Sequence, residues 1–264
     1  THPLESIDCL FLCSAHGKSR DFWNENERPE GLKVIDLAQD FRDESCGYVY
    51  GLPELNEARI REASLVANPG CFATAIQLAL LPAAAAGILH GDVNVTAVTG
   101  STGAGVKPGA TTHFSWRNDN MSVYKPFNHQ HLAEISRSIA SLEPEFTSDA
   151  INFVPVRGDF ARGIFCMAHF ACDLNQEEAE KLYADYYRNQ PFTIVSSSPV
   201  DLKQAVNTNK AVISLHADSK KKRLLVTSVI DNLLKGASGQ AVQNFNLMFG
   251  LDPKAGLKLK PSAF

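Results

Sequence analysis

The stretch "SLVANPGCFATAIQLALLPAAAAGIL", residues 64–89, runs from a short apolar segment through Asn68-Pro69-Gly70 straight into an apolar helix pattern beginning at Cys71. A strand that delivers a helix through so tight a turn belongs to an α/β layer. Two further segments repeat the strand half of this pattern. "DCLFLCSA" (8–15) is a buried-type run that opens into a loop with His16 and Gly17. "GLKVIDLAQDFR" (31–42) follows after a connection that reads as too short to do more than cross over. Short parallel strands with polar loops at their carboxyl ends place a ligand at those ends.

The remainder of the chain reads differently. After a helix over 71–89, "VNVTAVTG" (93–100) reads as a strand entering the glycine-rich "STGAGVKPGATT". "INFVPVRG", "GIFCMAHFACDL", "FTIVSSS", "AVISLHAD" and "RLLVTSVIDN" are β-branched and aromatic, with the amphipathic helix "QEEAEKLYADYYRNQ" among them. That block predicts a mixed or antiparallel α+β domain, and "KGASGQAVQNFNLMFGL" (235–251) predicts a closing helix. The division expected is 1–69 with 230–264 as an incomplete Rossmann-like nucleotide domain, and 70–229 as a catalytic and dimerisation domain.

Composition removes several functions. A net charge of −4 and a pI near 6.1 supply no basic field for nucleic acid or anionic membrane surfaces. The longest apolar run is broken by Pro82 and Gly87, short of the roughly 20 residues of a membrane span. "THPLESID" has neither the basic region nor the apolar core of a signal peptide, so a cytoplasmic protein is expected whose natural start is not Thr1. The six cysteines lack paired short spacings and read as reduced thiols, not as a disulfide or zinc framework, and no metal is expected.

Cys71 is the exception among them. At a helix start its sulfur faces unpaired N–H groups and the positive end of the macrodipole, which favour the thiolate. A small buried hydrophobe is the competing reading of the same position.

Residues beyond Cys71 favour the first reading. "VANPGCFATAIQLALLP", "VIDLAQDFR" with "YGLPELN", "STGAGVKP", "NHQHLAEI" and "VIDNLLKGASGQAVQNFNLMFGL" occur in the order found in the N-acetyl-gamma-glutamyl-phosphate reductases, which this chain resembles from end to end. These are acyl-phosphate reductases of arginine biosynthesis. The resemblance implies a partial Rossmann-type nucleotide domain beside an α+β domain of the semialdehyde dehydrogenase type, NADP as cofactor, and a homodimer or homotetramer. It implies that a Cys71 thiolate attacks the acyl phosphate, that phosphate leaves, and that the thioester is reduced to the semialdehyde.

Residue by residue, the resemblance carries the following expectations. His131 and His129 match a His-x-His acid–base pair, His131 being preferred because it lies nearer the apparent helix start. Glu134 either orients an imidazole or occupies a favourable first-turn position. Arg162 matches the family's Arg-Gly and Arg157 duplicates it locally. The extra residues after Pro155 leave open which arginine meets the substrate's oxyanions. Asn68 is a further substrate candidate, as is Lys107, which also reads as a solvated loop lysine. For the cofactor the candidates are His16, Ser101, Gly103, Gly105, Asn232, Gln240 and Asn244. The family opens with a glycine-rich βαβ unit that does not precede Cys9 here, so a fragment or shortened chain with weak NADPH binding is expected. The runner-up within this chemistry is aspartate-semialdehyde dehydrogenase, which lacks "NHQHLAEI" and "KGASGQAVQN". Outside it stand a cysteine acyltransferase or hydrolase and a non-catalytic binding fragment.

Overall fold

A computed structural model describes residues 3–105 and 107–262. Val106, within the glycine-rich stretch, and the four terminal residues 1, 2, 263 and 264 lie outside the described residues. In chain order the elements are β1 (Cys9–Leu12), α1 (Lys18–Glu25), β2 (Lys33–Asp36), β3 (Val49–Tyr50), α2 (Pro53–Glu62), β4 (Leu65–Ala67) and α3 (Cys71–Ala85). They continue with β5 (His90–Thr99), α4 (Phe114–Arg117), β6 (Ser122–Val123), α5 (Leu132–Ala140), β7 (Ile151–Arg157) and β8 (Ile164–Ala171). The last are α6 (Gln176–Tyr187), β9 (Thr193–Ser196), β10 (Ala211–Asp218), β11 (Arg223–Ile230) and α7 (Gly239–Met248). The chain divides into two compact units, Thr1–Gly70 with Ala237–Lys258, and Cys71–Gly236 with Leu259–Phe264.

The first unit is a four-stranded parallel sheet in the order β1-β2-β4-β3. Ile35 and Val66 point to one face, where Ile60 of α2 and Ala241, Leu247 and Met248 of α7 close a core. Leu12, Val34 and Ala67 point to the other and meet Phe41 and Tyr48, with Phe22 and Trp23 of α1 packed alongside. The connection expected to be a bare crossover therefore holds a two-turn helix, α1. Its apolar Phe22-Trp23 pair is too short a signal for periodicity to reveal.

The second unit is built on a seven-stranded mixed sheet, β6-β7-β5-β8-β11-β10-β9, whose middle ladders β5–β8, β8–β11 and β11–β10 are antiparallel. Alternate residues of β5 (Val93, Val95, Ala97), β7 (Ile151, Phe153) and β8 (Cys166, Ala168, Phe170) are buried. The helix α3 is nearly uniformly apolar, and thirteen of its fifteen residues are buried.

The helix α3 ends in a glycine closure and carries a proline inside it. The helix stops at Ala85, not at the expected residue 89, because Gly87 takes φ +64° while its N–H and that of Ile88 bond Ala84 O and Ala83 O. That is a Schellman closure, which a glycine without a Cβ enters at no steric cost. Inside the helix, Pro82 lacks the N–H that would bond the Leu78 carbonyl. The Tyr187 hydroxyl from α6 donates to Leu78 O at 2.7 Å, and the Tyr183 hydroxyl donates to Ala79 O at 2.7 Å. A buried carbonyl orphaned by proline is thus satisfied by a phenol.

Candidate active site

Cys71 is the first residue of α3 and of the second unit, and it is only partly buried. The 2.8 Å separation between its Cβ and a Cβ built on Gly236 explains the glycine there: any side chain would displace the cysteine. Cys166, by contrast, is fully buried in β8, and burial pushes its thiol up to about 12, so it stays protonated.

Behind Cys71, Phe72 makes edge contacts with His129 at 5.4 Å, His131 at 6.4 Å and Phe153 of β7 at 5.3 Å between ring centroids. The two imidazoles lie 4.6 Å apart, T-shaped, and both are 6% exposed. They stand at the entry to α5, where His131 is the N-cap residue. The His131 backbone N–H donates to His129 Nδ1 at 3.2 Å. Burial, and secondarily Lys125, lowers the His129 pKa to about 4, so this ring is neutral near pH 7 and carries its proton on Nε2. His131 Nε2 lies 3.9 Å from Glu134 Oε1, and both side chains are buried. Glu134 thus faces the imidazole and also occupies the first helical turn.

Tyr124, which the sequence reading passed over, completes this group. Its ring centroid is 6.1 Å from His129 and 6.5 Å from Phe72, and it lies within electrostatic reach of Cys71. Burial pushes its hydroxyl up to about 12, so it is a donor at neutral pH. Its only advance signal was an aromatic residue five positions before His129 in the same loop. Arg157, the last residue of β7, lies over the Tyr124 ring with its guanidinium carbon 4.5 Å from the centroid.

The other named residues fall into separate groups. Arg162 Nη2 contacts both oxygens of the fully buried Asp231, at 3.1 and 3.0 Å. Asp231 also accepts from the backbone N–H groups of Asn207, Leu233 and Leu234. Asn232 accepts from Gly163 N at 2.6 Å and donates to Thr102 Oγ1 at 3.1 Å. Ser101 N donates to Phe160 O, and a Cβ on Gly100 would lie 2.4 Å from Ala161 O. Residues 100–102 are therefore braced against the 158–163 turn, and a Cβ on Gly103 would lie 3.3 Å from Thr99 Oγ1. Gly105 has φ +82° in open space, and Lys107 is exposed.

His16, Asn68, Gln240 and Asn244 belong to the first unit. His16 Nδ1 accepts from Gln39 N at 3.1 Å, joining the loops after β1 and β2. Asn68 donates to Ala237 O at 3.0 Å and accepts from Asn244 Nδ2 at 3.1 Å, so its amide is used at both ends within its own unit. Asn244 also donates to Gly51 O, while its Oδ1 is buried with no hydrogen-bond partner. Gln240 is fully buried on α7.

With this geometry in place, comparison with known proteins is specific. Residues 71–232 match a family described as semialdehyde dehydrogenase, dimerisation domain, and residues 1–63 match its NAD binding domain. N-acetyl-gamma-glutamyl-phosphate reductase of Parabacteroides distasonis is 54% identical over 264 residues, covering 99% of this chain and 81% of the relative. The enzyme of the same name from Phocaeicola vulgatus is 55% identical with the same coverage. The chain belongs to the N-acetyl-gamma-glutamyl-phosphate reductase family. Among solved structures, aspartate semialdehyde dehydrogenase II from Vibrio cholerae superposes with a TM-score of 0.71 at 17% identity, over 94% of this chain and 82% of that one. Aspartate semialdehyde dehydrogenase from Francisella tularensis gives 0.70 at 13%, over 93% and 83%. At those identities the likeness shows the fold that the reductase family shares with them, an α/β nucleotide part with a mixed-sheet part.

Proposed function

We propose that this chain carries out the NADPH-dependent reduction of N-acetyl-gamma-glutamyl phosphate to N-acetyl-glutamate semialdehyde, with release of phosphate, as a step of arginine biosynthesis. Membership of the family supports the substrate. The observation that carries the chemistry is Cys71 at the first position of α3, with a buried imidazole pair packed on the next residue.

In this reading the thiolate, favoured by the positive end of the helix dipole, attacks the acyl carbon and forms a thioester as phosphate departs. His131, with Glu134 facing its Nε2, is the acid–base group that handles the proton when the reduced adduct releases its aldehyde. His129 is the neutral platform beside it, its Nδ1 already engaged by the His131 backbone. Arg157 and Arg162 are the cations available for the substrate's oxyanions.

The first unit fits a nicotinamide dinucleotide: loops at the carboxyl ends of parallel strands, and a buried Asn244 Oδ1 without a partner beside the ends of β3 and β4. His16 and Asn244 would hold it there, and NADPH when bound supplies the hydride. The match to a dimerisation domain supports self-association, as a homodimer or homotetramer. Among the described residues no helix is long and apolar enough to cross a membrane; we place the protein in the cytoplasm.

The test is phosphate-dependent reduction of NADP with N-acetyl-glutamate semialdehyde, aspartate semialdehyde being the comparison substrate. Turnover of the first at least about a hundredfold more efficient than the second supports the assignment, and the reverse preference overturns it.

A further inference from the structure

A cavity of about 610 Å³ lies within the first unit, on the α1 face of the parallel sheet. None of the substrate or cofactor candidates lines it. Its apolar walls are Trp23 of α1, Phe41, Tyr48 and Leu65 at the start of β4. Phe41 and Tyr48 are stacked, with ring centroids 4.2 Å apart and planes 1° from parallel, and each is 3% exposed. A volume of that order with aromatic walls and a few polar groups suits a small molecule.

Two polar groups of this lining are incomplete. The Tyr48 hydroxyl oxygen accepts from Trp23 Nε1 at 3.0 Å, while its own proton has no acceptor among the described residues. Burial holds the phenol well above its usual range, so the oxygen keeps that proton near pH 7 and is a donor. Arg28, within electrostatic reach of Tyr48, donates from Nη1 to Leu32 O and pairs with no carboxylate among the described residues. The other charged neighbours are placed differently. Arg20 is engaged by Asp40 O, Ser45 Oγ and Asp43, and Glu27 is exposed at the rim. Asp36 accepts from Ser19 and from Ala38 N through Oδ1, and its Oδ2 makes no hydrogen bond to Tyr48. A buried donor without an acceptor is costly, and native structures keep one where something else completes it.

We propose that this cavity binds a small ring-bearing carboxylate, its ring against Trp23 and Leu65 and its oxygens receiving the Tyr48 hydroxyl and the Arg28 guanidinium. A donor that lacks an acceptor and a cation that lacks a counter-charge are both answered by one carboxylate. Apolar walls are answered by a ring, which leaves water on entering. The site belongs to the first unit alone and takes no part in the thiol chemistry, so it stands whether or not the reductase reading does.

The test uses Trp23 as its reporter. The full chain carries Trp116→Phe, which leaves Trp23 as its one indole, and is titrated with 3-phenylpropionate and, separately, with the neutral 3-phenylpropanamide. A saturable change in Trp23 emission is expected, with a Kd of about 1 mM or tighter for the acid and at least about fivefold weaker for the amide. Arg28→Gln should abolish that preference while changing the affinity for the amide by less than about twofold. Tyr48→Phe should weaken acid and amide alike by about threefold or more. If that variant unfolds, Arg28→Gln, at an exposed position, still decides the matter. Emission that does not saturate by about 10 mM, equal affinities for acid and amide in the parent chain, or an unchanged preference in Arg28→Gln overturns the proposal. Unchanged binding in a folded Tyr48→Phe chain overturns it as well.

Discussion

Cys71, the proposed nucleophile, and its neighbours behave according to where each group sits, and two predictions belong at that scale. Cys71→Ser should lower turnover by about 10³-fold or more with little change in thermal stability, because the residue is partly exposed and the substitution is nearly isosteric. Steady-state kinetics beside a melting curve checks this. His129 carries a pH consequence whose sign follows from its depressed pKa of about 4 against an ordinary 6.5. The folded state resists protonation of this ring more than the unfolded state does. The stability it contributes is therefore complete above about pH 6.5 and is lost as pH falls towards 4. Replacing it with Gln should flatten the acid limb of a plot of stability against pH, measured by urea unfolding between pH 4 and 8. Cys71, His129, His131 and Glu134 stand out in the chain as members of short local segments that resemble the family's. Tyr124 and Asp231 do not, since their partners, Arg157 and Arg162, are distant in sequence and only the fold brings them together.

Among the elements, long strands and helices were readable where one periodicity persisted, as in β8, β10, β11 and α6. The two-residue strands β3 and β6 have no period to read, and α2 begins at Pro53 with only a few apolar residues to mark its buried side. The closing segment differs from a plain helix as well. Leu234–Ser238 forms a π-helical turn, and its Gly236 N–H returns to Asp231 O. A π-turn widens the helix locally and often marks a working site; here it includes the glycine that lies against Cys71. The α3–α6 contact yields the prediction at this scale. Tyr187→Phe deletes the donor to a buried carbonyl and should destabilise the protein by about 1–2 kcal/mol, read as a shift in the denaturation midpoint at unchanged slope.

For the molecule as a whole, the chain crosses from one compact unit to the other at Gly70–Cys71 and returns at Gly236–Ala237, so Cys71, the proposed nucleophile, is the first residue after the crossing. The second unit exposes Phe114, Trp116, Met121, Val123 and Phe127, all within one excursion that ends near the edge strand β6. So many large apolar groups in one stretch favour burial against another surface, and with the dimerisation-domain match they lead us to expect self-association. Sedimentation equilibrium at micromolar concentration should give at least twice the 28.8 kDa chain mass, whereas a monomer at tens of micromolar would contradict this. One internal arrangement also reaches beyond stability. Since the Tyr187 hydroxyl serves a carbonyl that only Pro82 leaves open, Tyr187→Phe should cost much less in a Pro82→Ala background, where a backbone N–H returns to that carbonyl. Two residues far apart in the chain are thereby tied into a single unit of inheritance. A lineage that loses the tyrosine first pays a penalty that one losing the proline first escapes, so the order of mutation at these sites is constrained.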